Sequence, residues 1–91
     1  MTTIYKHQLK ITDRQNVSMP FGAELLSVQV QHNEVCLWAK VESNNHPQDR
    51  TIEIFGTGNP IYEDMGVSRK FIGTVQTHEG ALVWHVFERT N

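Results

Sequence analysis

The sequence predicts an all-β fold, a small antiparallel β-sandwich or partly open barrel of six to seven strands. Three observations carry the prediction. Leu26, Val28 and Val30 alternate with Ser27, Gln29 and Gln31, and further on Val35, Leu37, Ala39 and Val41 alternate with Cys36, Trp38 and Lys40. A period of two is what a strand shows when one face is buried. Turn-forming residues interrupt the apolar runs about every 8–12 residues, the spacing of small sandwiches and barrels. No stretch has convincing helical periodicity, and only Ile61–Met65 could close a turn of helix.

Thr3–Thr12 opens the chain as an edge strand with Tyr5, Leu9 and Ile11 on one face; Lys6 and Lys10 on the other face blunt edge-to-edge pairing. Asp13-Arg14-Gln15-Asn16 reads as a turn, and Val17-Ser18-Met19 as a short strand ended by Pro20. Pro20-Phe21-Gly22 turns the chain into the central hairpin, Leu25–Lys40. His32-Asn33-Glu34 joins its two arms, with Asn33 the residue best suited to a left-handed backbone.

Glu42–Asp49, polar and holding Pro47, is a loop. Arg50–Phe55 resumes the alternation with Ile52 and Ile54 inside. Gly56–Val67 has too many glycines and prolines for regular structure. Lys70–Gln76 is the next strand, with Phe71 and Val75 facing opposite to Ile72. Thr77–Gly80 is a hairpin connection. Ala81–Glu88 closes the chain as a strand apolar on both faces, which places it centrally or under a partner.

Composition narrows the function. The 91 residues suit one domain, 1–91, of a size that buries roughly 60–70% of the surface exposed in the unfolded chain. A formal charge of −2 argues against a DNA- or RNA-binding module held by counterion release. The single cysteine, Cys36, rules out an internal disulfide framework and fits a reducing cytoplasm; beside Leu37 and Trp38 it reads as a packed thiol. No run resembles a signal peptide or a membrane span.

Chemistry-bearing patterns are few. The five histidines, His7, His32, His46, His78 and His85, show no metal-ligand spacing, so no metal and no cofactor is expected. No serine sits in a nucleophile elbow, and adjacent Glu63 and Asp64 would point apart, so no catalytic residue is assigned. Gly56-Thr57-Gly58-Asn59, straight after a strand, can present backbone N–H groups to an anion, with Arg50, Arg69 and Lys70 supplying charge. The competing reading gives these glycines only the task of turning a corner. Trp38 lies on the face opposite Val35 and Leu37 and needs cover, from the Gly56–Val67 loop, another subunit or a ligand.

IYKHQLKIT, MPFGAELLSVQVQ, CLWAKV, IFGTGNPI and FIGTVQ…ALVWHVFE together resemble a family of small uncharacterised proteins encoded by tailed bacteriophages and prophages. The resemblance spans nearly the whole chain. It implies a phage origin and a bacterial-cytoplasm setting, and it brings no catalytic or binding residues with it. His32–Glu34 and Asn44–Asp49 match the loops that vary in such a family.

The expectation is therefore a non-catalytic phage accessory protein, homo-oligomeric, that inhibits host defence by sequestering a nucleotide signal or by docking on a host protein. Sequestration would use Arg50, Gly56, Thr57, Gly58, Asn59, Arg69 and Lys70 as one site, with Trp38 as an aromatic partner, and Arg69→Ala would abolish binding without unfolding. Docking would use Trp38 or Tyr62 as the anchor. A structural or assembly component of the phage particle is the second reading. A small hydrolase built on His78, Glu79 and His85 is the third.

Overall fold

Period-two alternation becomes seven strands, β1 (Thr2–Gln8), β2 (Arg14–Pro20), β3 (Glu24–Gln31), β4 (Glu34–Glu42), β5 (Pro47–Gly56), β6 (Arg69–Thr77) and β7 (Leu82–Arg89). The computed structural model describes residues 1–63 and 65–91, and it contains no helix among them. Two antiparallel sheets form, one ordered β1-β4-β3 and the other β2-β5-β7-β6. They are consistent with a small β-sandwich and do not close into a barrel. Their stacking gives a slab 16 Å through its thinnest axis, as two layers about 10 Å apart require.

The core lies between the sheets. Val28, Val35, Leu37, Ala39 and Val41 from one sheet and Met19, Ile52, Ile54, Val75 and Val86 from the other form one buried cluster, which Leu9 and Ala23 join. Leu37, Ala39, Ile52 and Val86 are wholly excluded from solvent. Trp84 packs against this cluster and donates its indole N–H to Thr77 Oγ1 at 3.0 Å. As the run Ala81–Glu88 suggested, β7 is an inner strand, flanked by β5 and β6. β1 is an edge strand, also as expected, because among the described residues it pairs with β4 alone.

Several boundaries differ from the sequence reading. Arg14, Gln15 and Asn16 belong to β2 rather than to a turn, because their partners Glu53, Ile52 and Thr51 extend the ladder past Val17. Glu42 ends β4 and Pro47–Asp49 begin β5, so the loop shrinks to 43–46. Pro47 is tolerated there because it lies opposite Pro20, at the end of the ladder with edge strand β2. The central hairpin needs only two loop residues, since His32 and Asn33 both take positive φ (52° and 62°), as a type I′ turn demands.

Bulges explain the two misread faces. A register shift between Leu25 and Ser27 leaves Leu26 44% exposed while Leu25 packs against the core. A second shift between Phe71 and Gly73 puts Phe71 on the outside, whereas Ile72 and Val75 both serve the core. One extra residue reverses the parity of everything before it.

At Gly73 the second bulge brings β6 against β3 of the other sheet. A Cβ there would stand 2.8 Å from Val28 Cγ1. Gly73→Ala is expected to cost about 1–3 kcal/mol by overpacking. Urea denaturation of Gly73→Ala, Val28→Ala and the double variant checks it, and the two costs should sum to more than the double variant shows.

Candidate functional site

The outer face of the four-stranded sheet holds the charged and aromatic side chains that the core excludes. Because Ile52 and Ile54 point inward, Glu53 and Phe55 point out; because Val86 points inward, Phe87 and Arg89 point out. Register completes the surface. Arg14 of β2 lies opposite Glu53, Glu53 opposite Phe87, and Phe87 opposite Phe71; one step along, Thr51 lies opposite Arg89 and Arg89 opposite Arg69. Phe55, Phe87 and Phe71 form an edge-to-face row with centroid separations of 5.8 and 5.2 Å.

Arg69 reaches across β7 to the centre of this surface. Its Nε donates to Glu53 Oε1 at 2.8 Å, its guanidinium carbon stands 5.5 Å from the Phe55 ring centre, and its Nη1 donates to the Tyr62 carbonyl at 3.3 Å. The pair is nearly buried, with side-chain exposures of 13% for Arg69 and 8% for Glu53. One side chain thus ties the segment after β5 down onto the sheet.

Between that segment and the sheet lies a cleft of about 500 Å³, whose lining includes Arg14, Phe55, Asn59, Tyr62, Arg69 and Arg89. Glu53 and Asp13 are its carboxylates. Among the described residues, Glu53 is held by Arg69, while neither Arg14 nor Arg89 meets a carboxylate within ion-pair distance. Arg89 Nε donates to the backbone oxygen of Asn91, at 3.2 Å. The cleft therefore carries guanidinium donors in excess of the carboxylates that engage them, next to an aromatic wall. That arrangement suits an anion bearing a planar group.

Only part of the predicted site assembles here. Arg69 and Asn59 line the cleft. Gly56, Thr57 and Gly58 form the turn that leads into it: Asn59 N–H donates to the Gly56 carbonyl at 3.0 Å, and Gly58 has φ +88°. A positive φ at the third position is the mark of a type II turn. Thr57 Oγ1 lies 2.7 Å from His85 Nε2, and Thr74 Oγ1 lies 3.0 Å from Nδ1 of the same ring. The glycine turn is thus fastened to β6 and β7.

The remaining predicted residues lie elsewhere. Arg50 points into the opposite, inner side of its sheet, where it forms a two-pronged pair with Glu88 and donates to the Ala23 carbonyl at 2.8 Å. Lys70 follows Arg69 in an extended strand and so faces away from it, opposite Glu88 in the register. Trp38 belongs to the other sheet, on the outward-facing row with Cys36 and Lys40 and flanked in register by Lys6 and Ser27. Asn59, Pro60, Tyr62 and Val67 line the cleft over the β2-β5-β7-β6 sheet, on the other side of the molecule from Trp38. Arg50, Lys70 and Trp38 consequently do not share one site with Arg69 and Asn59.

The three residues of the hydrolase reading do not form a linked set. His78 Nδ1 lies 3.1 Å from Thr77 Oγ1 and its backbone N–H donates to Asn33, while both ring nitrogens of His85 are taken by threonine hydroxyls. The Glu63–Asp64 juxtaposition cannot be followed, since Asp64 lies outside the described residues. Among the described residues no group of three or more His, Cys, Asp or Glu could hold a metal ion. Cys36 is buried, as its sequence context suggested, although it lies on the outward-facing side of β4.

A second, smaller groove runs between the edges of β1 and β2, lined by Tyr5, His7, Ser18, Met19, Pro20, Asn45 and Pro47. Burial pushes the His7 imidazole below its ordinary pKa, and its Nε2 has no hydrogen-bond partner among the described residues. This groove holds no charge that would fix a ligand.

Arg14, Glu53, Phe55 and Arg89 escaped the sequence reading. Parity counted outward from Ile52, Ile54 and Val86 places three of them on one face; recognising the site also requires strand order, which no local pattern contains.

The chain belongs to the family described as Domain of unknown function (DUF7352), whose model matches residues 1–91. Neither a curated protein nor a solved structure matches it. No helix among the described residues is long and apolar enough to cross a membrane.

Proposed function

We propose that this member of the family is a non-catalytic binding protein whose cleft over the outer sheet face holds an anionic small molecule, and that a nucleotide is the ligand. The observation that carries the reading is the convergence of Arg14, Arg69 and Arg89 beside Phe55 in one cleft. In a chain of formal charge −2, such a cluster is a local reversal of sign. Arginine forks suit phosphate oxygens, and aromatic rings suit a base.

The resemblance to proteins of tailed phages and prophages gives the activity a setting. In a bacterial cytoplasm, a small protein that sequesters a nucleotide signal would inhibit a host defence without performing any reaction. The work is done by mass action: the bound nucleotide is withdrawn from its receptor.

Thermal melting with a panel of linear and cyclic nucleotides and inorganic phosphate tests this. At a ligand concentration about 100 times Kd, stabilisation is about 2.7 kcal/mol, a rise in Tm of more than about 10 °C for a domain this small. The double variant Arg14→Ala/Arg89→Ala should melt near the parent and lose the rise, because neither side chain is buried. A panel that leaves Tm unchanged overturns the reading.

One further observation favours a second reading. On the other sheet, Ile4 and Leu26 are 57% and 44% exposed on the outward side that carries Trp38. Such a surface supports self-association or docking on a protein, with tryptophan as anchor. A concentration-independent monomer mass by light scattering would remove the self-association form of it.

A further inference from the structure

Among the described residues the two sheets end in β1, β3, β2 and β6, and three of these edges are blunted against further pairing. β3 and β6 carry the bulges at Leu25/Ser27 and Phe71/Gly73, and β2 ends in Pro20. Bulges and prolines stop an edge from accepting another strand. β1 has neither, and its register with β4 runs unbroken from Thr2 to Gln8.

Two bonds fix which way its backbone points. Leu9 N–H donates to the Val35 carbonyl at 2.8 Å, and Ser43 N–H donates to the Met1 carbonyl at 2.9 Å. In an antiparallel ladder alternate residues turn the same way. Thr3, Tyr5 and His7 therefore bond to β4, while the N–H and C=O groups of Thr2, Ile4, Lys6 and Gln8 line the free edge. Among the described residues no strand pairs with them there.

The side chains leave this edge open. Thr2 Oγ1 donates to Glu42 Oε2 at 3.2 Å, Lys6 Nζ to Gln31 Oε1 at 2.8 Å, and Gln8 Nε2 to Glu34 Oε2 at 3.1 Å. All three acceptors belong to β3 or β4, so each polar chain leans back over its own sheet. Lys6, which the sequence offers as a guard against edge pairing, is drawn away from the edge. Ile4 and Tyr5 stay 57% and 39% exposed.

We infer that β1 pairs antiparallel with β1 of a second copy of this chain, about a two-fold axis through Tyr5, to make one sheet ordered β3-β4-β1-β1-β4-β3. The strand is self-complementary in this register. Thr2 stands opposite the partner's Gln8 and Ile4 opposite the partner's Lys6, so every outward N–H meets an outward carbonyl along the whole strand. An axis through Ile4 would leave Gln8 without a partner. An axis through Lys6 would set two ammonium groups against each other, which is unfavourable. On the inner side Tyr5 meets its own copy in a non-hydrogen-bonded pair, where side chains approach most closely. His7 stands opposite the partner's Thr3. The buried His7 Nε2, which has no hydrogen-bond partner among the described residues, thereby gains a neighbouring hydroxyl. Such a contact is isologous and closes on itself, consuming the edge in both copies.

The contact does not depend on anion binding, since the cleft lies over the other sheet. Light scattering of the intact protein over a range of concentrations tests it. The expected mass is twice that of one chain for the parent and for Leu26→Ser, which alters the outer apolar face without touching β1. It is that of one chain for Ile4→Pro, because proline there removes an outward N–H and none of the β1–β4 bonds. Far-UV circular dichroism checks that the sheets of this variant persist. Cysteine cross-linking decides the register even where Ile4→Pro fails to fold. Tyr5→Cys should form a disulfide-linked dimer under mild oxidation, because its sulfur meets its own copy on the axis. Lys6→Cys should not, because it stands opposite the partner's Ile4; Cys36 is buried and supplies no competing thiol. A single-chain mass for the parent at every concentration would overturn the inference. So would a dimer lost in Leu26→Ser but kept in Ile4→Pro, or equal cross-linking of the two cysteine variants.

Discussion

Arg50→Ala will be among the most destabilising single substitutions in this protein, costing about 3 kcal/mol and lowering Tm by more than about 10 °C. The expectation follows from where its charge lies. Arg50 and Glu88 have side-chain exposures of 17% and 10%, and Arg50 also donates to the Ala23 carbonyl. Removing the guanidinium leaves a carboxylate and a carbonyl poorly solvated and unpaired, which costs far more than an exposed ion pair contributes. Removing both charges is a different operation. Arg50→Met/Glu88→Leu takes away the unpaired carboxylate along with its partner and should recover most of the loss. Urea melts of Arg50→Ala and the double variant measure this directly. A loss below about 0.5 kcal/mol in Arg50→Ala, the value of a surface pair, would show that the carboxylate finds water. Because the pair lies on the inner side of the sheet, phosphate binding by the surviving folded protein should be unchanged.

That prediction also shows how far the sequence could be read. The alternation in Val35–Val41 and in Ile52–Ile54 announces which side chains are buried, and those positions are the core. The hairpin turn at Asn33 and the inner position of β7 were legible for the same reason, since each depends on a dozen or fewer consecutive residues. The bulges at Leu26 and Ile72 were not legible. An extra residue in a strand leaves the local pattern almost unaltered and is resolved only by the partner strand's register.

The site suffered most from this limit. Along the chain Arg50 and Arg69 are equivalent, as cations flanking a glycine loop. Parity separates them: Arg50 shares the inner side with Ile52, whereas Arg69 meets Arg89 on the outer side. Their carboxylate partners lie 38 and 16 residues away, distances over which only the fold decides. Asn59 and Arg69, which line the cleft, are legible as candidates because they border the irregular segment. Arg14 lies in a stretch that reads as a turn, and Arg89 is simply a basic residue ending a strand until strand order brings it beside two others.

Arg69→Ala joins the two halves of the molecule's economy, and its expected effect is twofold. The sequence alone suggests a free cation whose loss would abolish binding and spare the fold. The structure gives Arg69 a second task. It neutralises Glu53, covers the Phe55 ring and holds the Tyr62 carbonyl, so its removal leaves a carboxylate that is 6% exposed with no guanidinium against it. A destabilisation of about 3 kcal/mol is expected, comparable to that of Arg50→Ala. The segment after Gly58 also loses its tether, so amide exchange across residues 59–63 should quicken relative to the parent. Phosphate binding should fall at least tenfold even at a temperature where the variant is fully folded. Arg69→Ala/Glu53→Leu separates the contributions: stability should return in large part, because no buried charge is left alone, while binding should not, because the cleft has lost a fork. Recovery of binding in that double variant would mean that Arg69 only props the cleft open and that Arg14 and Arg89 hold the anion by themselves. Absence of any stability loss in Arg69→Ala would mean that Glu53 is relieved by Arg14, its neighbour opposite on β2.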